Sequence, residues 1–386
     1  MSLLRAGGAS QVYDLAVVGA GIVGLAHAWA AARRGRRVIV IERDLRANGA
    51  SIRNFGFITV SGQARGETWT FGSRSRETWA EIAPKAGIAI QHAGKAVLLR
   101  RPEAVSVAEA FLKTEMGLGC ELLDAGALRR RLPQLAGPES LGALVSTREI
   151  RVESREAIPR LAAWLGQALG VTFLFGAAVH VVEPPRIATS RGEIRATRAI
   201  VCPGDDFSTL FPERIAAHGL QRCRLSMLRL GSPGFRWPTG VMSDLSLARY
   251  AGYADLAQAG ALKARLAAEQ PRHLANGVHL IAVGGADGGL VVGDSHHYAD
   301  LPAPFAPAEA EALILDEFEA ATGIAPPPVR ERWTGIYAAS PDRTFLIDSP
   351  APDVRLVIVT SGCGASIAFG LAEHALAGLM QEEPAG

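Results

Sequence analysis

The chain has 386 residues, of which 48% are hydrophobic and 20% charged, with a formal net charge of +2. That length exceeds one ordinary domain and predicts two, and the balanced charge excludes a nucleic-acid face or an acidic partner. The cysteines Cys120, Cys202, Cys223 and Cys363 have no C-x-x-C spacing, which argues against a disulfide framework and a zinc site and for a reducing, cytoplasmic setting.

The first element is a buried strand, Leu15 to Val18, running into the glycine turn Gly19-Ala20-Gly21-Ile22-Val23-Gly24 and a helix from about Ile22. Gly19 permits the tight turn, Gly21 leaves room for a pyrophosphate against the backbone, and Gly24 lets helix and strand pack closely. The helix start, at Ile22 and Val23, presents free N–H groups to phosphate. A second strand, Arg37 to Ile41, ends at Glu42, whose carboxylate is placed to accept ribose hydroxyls. Strand, turn, helix, strand and acid at this spacing predict a dinucleotide site. The apolar stretch Leu15 to Ala32 contains His27 and lacks a basic start and a small-residue cleavage site. It is therefore read as folded chain and not as a signal peptide. No other run has the length to span a bilayer.

Further along, Gly94 to Leu99 reads as a strand, and Ala104 to Met116 as a helix stopped by Gly117. An amphipathic helix, Glu156 to Leu169, ends at Gly170. Strands follow at Val171–Phe175, Ala178–Val182 and from Ala199 into the turn Pro203-Gly204. Residues 220–300 mix strands (Arg222 to Leu230, Val278 to Val283, Gly289 to Gly293) with an alanine-rich helix, Asp255 to Glu269. A helix from Ala308 to Thr322 lies between two proline-rich joints.

The last unit repeats the first in outline. The strand Val354 to Val359 enters Thr360-Ser361-Gly362-Cys363-Gly364-Ala365-Ser366, and a helix follows over Ile367 to Met380. The turn has no lysine, so it is not a Walker A loop. Two strand–turn–helix units in one chain predict two backbone cradles on one extended cofactor. A helix N-terminus aimed at an electron-poor ring, such as that of FAD, stabilises charge that develops on reduction.

The order of these motifs resembles the D-amino-acid oxidase superfamily, which includes glycine and sarcosine oxidases. The resemblance rests on Gly19–Gly24, Glu42-Arg43, Gly49 to Gly56, Gly176 to Val179, Pro203-Gly204, Trp333 to Tyr337, Pro341-Asp342 and Ser361 to Gly364. It implies an α/β fold, α+β overall: a Rossmann-like FAD-binding domain with a second, mainly antiparallel sheet domain for substrate. The expected division is 1–84, 150–206 and 331–386 for FAD, and 85–149 and 207–330 for substrate. By resemblance, Ser51, Arg53, Asn54, Phe55 and Gly56, with Gly335 and the turn Ser361 to Ser366, contact the flavin. Val179 touches the adenine side. Short motifs at Ser51–Gly56, Arg224–Arg229, Arg249-Tyr250 and Gly293–Tyr298 look like a narrower subgroup of FAD oxidoreductases linked to aminophosphonate breakdown.

Sarcosine oxidases with covalent flavin carry a cysteine where this chain has Gly335, so the resemblance implies noncovalent FAD. Their substrate-binding lysine corresponds to Ser366, and their oxygen-activating lysine falls near Val291. Both lysines are absent, which points to a different anion site and leaves oxygen or another electron acceptor open. The implied reaction takes a hydride from the carbon beside an amine, giving an imine that hydrolyses to aldehyde plus amine. 2-Aminoethylphosphonate or its N-methyl derivative is the expected substrate. A D-amino-acid, glycine or sarcosine oxidase or dehydrogenase, a 2-hydroxy-acid dehydrogenase, and a flavin-bearing interaction subunit are the alternatives.

An imidazole near the amine can take its proton at neutral pH. His296 and His297 end a strand on opposite faces, and His296 is expected to face inward. Tyr337 is the second candidate in catalysis. A phosphonate dianion calls for arginine. Arg53, Arg65, Arg249 and Arg343 lie in segments expected near flavin, and Arg249 with Tyr250, and Tyr253 one turn on, would offer a guanidinium and two phenols. Asn54 and Gln63 are further polar candidates, and Ser366 is a candidate for both substrate and cofactor. Beyond Asp294 no ligand stands at metal-binding spacing to the histidine pair, so no metal is expected.

Overall fold

A computed structural model describes residues 12–380. Two large sheets organise it. The first has six strands in the order Phe345–Ala351, Val354–Val359, Ala199–Val201, Leu15–Val18, Val38–Glu42 and Thr172–Phe175. All neighbours are parallel except the first pair. Both faces are covered, as parallel strands require. On one side the helices Ile22–Ala32, Glu67–Lys85, Ser154–Leu169 and Gly364–Met380 bury Leu25, Trp79, Leu161 and Phe369 against Val17 and Val40. On the other side a four-stranded sheet places Val179 and Ile187 over Ala16, Ile39 and Ile358.

The second sheet has ten strands and is mainly antiparallel. Gln221–Leu230 lies next to one edge, with Val329–Ala339 on one side and Leu290–Gly293 and His297–Ala299, end to end, on the other. Gly142–Val152 bridges Ile90–Leu99, Cys120–Asp124 and Phe57–Ile58. The alternation of Ile90–Leu99 decides its packing. Val97 and Leu99 face the helices Pro102–Leu112 and Ala259–Glu269, while Ala96 and Leu98 face the helix Ala308–Thr322. Because Gly142–Val152 and Val329–Ala339 both run in this sheet, the boundaries expected at 150 and 331 fall inside strands.

Most expected elements stand within a few residues of their ranges, with instructive exceptions. The helix expected over Ala104–Met116 runs Pro102–Leu112, and Glu115–Gly117 is a separate 3₁₀ turn. Gly170 ends its helix in the left-handed conformation, at φ 68°. The last helix starts at Gly364, inside the glycine turn and not after it, so its first N–H groups belong to the turn.

Candidate active site

A long cleft lies at the carboxyl ends of the parallel strands, where open α/β sheets bind nucleotides. Its wall includes Gly19, Gly21, Ile22, Val23, Gly24, Glu42, Arg43, Ser51, Arg53, Val179, Pro203, Gly204 and Gly335. The glycines have distinct reasons to be there. A Cβ on Gly24 would lie 1.9 Å from the Gly19 carbonyl oxygen, and one on Gly19 would lie 2.6 Å from that of Cys202. A Cβ on Gly21 would meet only the Ser51 hydroxyl, at 3.0 Å. Strand and helix packing therefore fix Gly19 and Gly24, whereas the bare backbone of Gly21 fronts the cleft. Glu42 accepts from the Ala20 N–H at 2.8 Å and the Asp44 N–H at 3.1 Å, and Ser51 accepts from the Ile22 N–H at 2.9 Å. Gly364 and Ala365, opening the C-terminal helix, line the same cleft. Two helix starts thus meet one cleft, and its residues fit a dinucleotide that carries phosphates.

A second chamber opens from this cleft. Asn54, Leu225, Tyr337, Gly362 and Ala365 line both. The polar pole of the chamber is assembled by backbone pairing just beyond the ends of two strands, Ile281–Gly284 and Leu290–Gly293. His279 and Asp294 exchange backbone N–H···O bonds, at 3.3 and 3.2 Å, so they stand opposite one another on one sheet face. His296 lies two residues on and returns to that face. The rings of His279 and His296 stack at 4.9 Å. His279 Nε2 is 3.4 Å from Asp294 Oδ1, and His296 Nε2 is 3.6 Å from Asp294 Oδ2. His296 Nδ1 lies 2.9 Å from the Gly277 carbonyl. A carbonyl only accepts, so Nδ1 carries the proton and the lone pair is on Nε2. Burial, reinforced by the charge of Arg249, holds both imidazoles neutral, far below their ordinary range. Burial also lifts the Asp294 carboxyl to about 7, against the pull of Arg249.

Arg249 and Tyr250 line the chamber, and Arg249 Nη2 donates to the Tyr298 hydroxyl at 2.7 Å. Tyr337 stands at the junction of cleft and chamber, and burial raises its phenol well above the usual range. Other expected residues hold internal partners as well as lining the cavities. Asn54 donates to Ala50 O and accepts from the Gly56 N–H and the Ser154 hydroxyl, all within 2.8 Å, which makes it a turn organiser. The Ser366 hydroxyl accepts from the Thr59 N–H at 2.9 Å, and Gln63 donates to the Thr59 hydroxyl at 2.8 Å. Gly56 lines neither cavity; a Cβ there would lie 1.8 Å from the Val152 carbonyl oxygen. Phe55, Ser361, Cys363 and Ser366 line the chamber and not the dinucleotide cleft.

Arg65 is paired with Glu115, and Arg343 with Asp342. Tyr253 is a correction. It is fully buried, packs on Phe111 and accepts from Lys95 at 3.0 Å, so it offers no phenol to the chamber. Sequence reasoning missed His279 because only backbone pairing brings it to Asp294, and the metal expectation was framed without it. His297 turns away, as alternation requires, opposite Arg224 in the ladder. No lysine lines the chamber among the described residues.

A cleft built for a dinucleotide, continuous with a chamber that holds neutral imidazoles and an arginine, defines a nucleotide-cofactor oxidoreductase. The family model for FAD dependent oxidoreductases (DAO) matches residues 14–377, and the chain belongs to that family. It is an FAD-dependent oxidoreductase. No curated protein matches the chain. Among solved structures, glycine oxidase from Geobacillus kaustophilus is similar at 16% identity and TM-score 0.76, covering 97% of this chain and 96% of that one. Iminodiacetate oxidase from Chelativorans sp. BNC1 is similar at 18% identity and TM-score 0.70, covering 96% of each chain. L-alpha-glycerophosphate oxidase from Mycoplasma pneumoniae, with FAD bound, is similar at 13% identity and TM-score 0.73, covering 96% of this chain and 95% of that one. At these identities the likeness is one of fold. Among the described residues, no helix is long and apolar enough to cross a membrane.

Proposed function

We propose that this enzyme oxidises a small amine that carries an anionic group, an aminophosphonate such as 2-aminoethylphosphonate or its N-methyl derivative. The observation that carries the reading is Arg249, tied to Tyr298 at 2.7 Å and lining the same chamber as the neutral His296. Guanidinium supplies paired donors to an oxyanion, and the absence of lysine from the lining suits a site other than a simple carboxylate clamp. Bound FAD supplies the two-electron acceptor. The chain's own part is to hold the anion at Arg249 and Tyr250, to orient the C–H bond, and to take the amine's proton at the His296–Asp294 pair, whose carboxyl burial lifts to about 7.

Cys363 supports noncovalent flavin. Burial pushes its thiol up to about 11, which leaves little thiolate to attack a ring. The resemblance of glycine and iminodiacetate oxidases in fold is consistent with an amine. We assign flavin binding to the six-stranded unit and substrate to the ten-stranded one, and the free cysteines suit a reducing compartment such as the cytoplasm.

The test is anaerobic flavin bleaching against aminophosphonates, amino acids and 2-hydroxy acids. Rapid bleaching by the aminophosphonates alone is the expected result; equal rates with sarcosine would sink the phosphonate assignment. A charge-assisted contact is worth about 1.5–3 kcal/mol, roughly ten- to a hundredfold in binding. Arg249→Ala should therefore raise KM for the aminophosphonate by that factor while kcat changes less.

A further inference from the structure

The side chains of His279, Asp294 and His296 are all buried, and their ligand atoms lie within 4.8 Å of one another. The two histidine–aspartate separations, 3.4 and 3.6 Å, are long for hydrogen bonds. They match the edge of a coordination tetrahedron, which is about 3.4 Å for ligand distances of roughly 2.1 Å. Asp294 Oδ1 is buried without a hydrogen-bond partner. The bond from His296 Nδ1 to the Gly277 carbonyl fixes the ring and directs the Nε2 lone pair away from it, as in metal-ligating histidines. The frame is backbone: two hydrogen bonds join His279 to Asp294 just beyond the ends of strands, and the Gly277 carbonyl holds the His296 ring, so the three groups are held before any ligand arrives.

We propose that His279, Asp294 and His296 form a site for one zinc-class divalent ion, and that its occupancy withdraws the His296 lone pair from the amine. Two imidazoles and one carboxylate suit zinc, with a fourth position open to the chamber. The ion would add positive charge beside Arg249, which is bonded to Tyr298 against the His296 ring, and an oxyanion bridging the two would balance it. The second half of the proposal rests on the proton-accepting role assigned to His296; the first half does not.

The experiment uses the FAD-loaded enzyme, freed of metal by chelator and dialysis. Zn2+ is titrated by calorimetry, and Co2+ by its visible d–d bands beyond the flavin absorption. One ion per chain is expected, with tetrahedral Co2+ bands and reversible loss of amine oxidation that chelator restores. His279→Asn and the isosteric Asp294→Asn should each weaken Zn2+ binding by at least about a hundredfold, because they remove a ligand and not only its support. Flavin content and melting temperature report whether the variants fold. No stoichiometric ion, or unchanged affinity in folded variants, overturns the site. Stoichiometric Co2+ with undiminished turnover overturns the proton role of His296 and leaves the metal site standing.

Discussion

His27 is a titratable group in a place that does not tolerate charge. It is fully buried on the first helix, with Nδ1 bonded to the Val23 carbonyl and Nε2 without a partner. Burial lowers it from 6.5 to about 4. The folded state therefore binds fewer protons than the unfolded state between those values, and stability falls as pH drops through that window. A shift of that size corresponds to about 3 kcal/mol. His27→Leu should flatten the pH dependence of the melting temperature between pH 6.5 and 4; an unchanged slope would assign the acid sensitivity elsewhere. The protonated thiol of Cys363 gives a second expectation. Acid precipitation should leave yellow flavin in the supernatant, and colour retained in the pellet would mean a covalent link.

At the scale of elements, the glycine turn separates two effects that its motif merges. Gly24→Ala places a methyl 1.9 Å from the Gly19 carbonyl oxygen, so strand and helix must move apart. Overpacking of this kind costs about 1–3 kcal/mol or more. Gly21 has an ordinary extended conformation, φ −68° and ψ 174°, and a Cβ there would meet only the Ser51 side chain, at 3.0 Å, and no backbone. Gly21→Val should fold with little change in apoprotein melting and bind no flavin, whereas Gly24→Ala should lower apoprotein stability as well. Circular dichroism melts beside flavin content check both.

The same contrast explains what was legible in the sequence. Gly19 to Glu42 could be read because the ligand site is built from one local run with fixed spacing. Helix ends at Gly170 and strand Val354–Val359 were legible for the same local reason. The polar pole of the chamber was not, because His279 gains its meaning only from antiparallel pairing with Asp294. Tyr253 misled because a polar side chain's partners are decided by tertiary packing, and its hydroxyl is already taken by Lys95.

Across the whole molecule, a buried cluster ties the segment after Phe57–Ile58 to the large sheet. Lys95 donates to the Ser61 carbonyl at 2.8 Å and to Tyr253 at 3.0 Å, and lies 3.7 Å from Glu149. Glu149 in turn accepts from the Ser61 N–H at 2.9 Å and from its hydroxyl at 2.6 Å. Removing one partner leaves an uncompensated buried charge, at about 3–5 kcal/mol. Lys95→Met should lower unfolding free energy by that amount. Lys95→Met combined with Glu149→Gln should recover part of it, because the amide still accepts from Ser61. Denaturant titrations of the two variants test this; equal losses would mean that packing, and not charge, holds the cluster.

The central strands of the smaller sheet, 354–359, 199–201 and 15–18, come from widely separated stretches of the chain. The two helix starts that meet the cofactor cleft are therefore synthesised more than three hundred residues apart. During translation the first turn must wait, uncovered, until the last strand emerges to lie beside residues 199–201. Flavin capture is thus expected only after the strand 354–359 and the helix that follows it have been made. A ribosome-bound nascent chain halted before residue 354 should be unable to hold FAD, and in the finished protein the cofactor should act as a latch joining early and late segments.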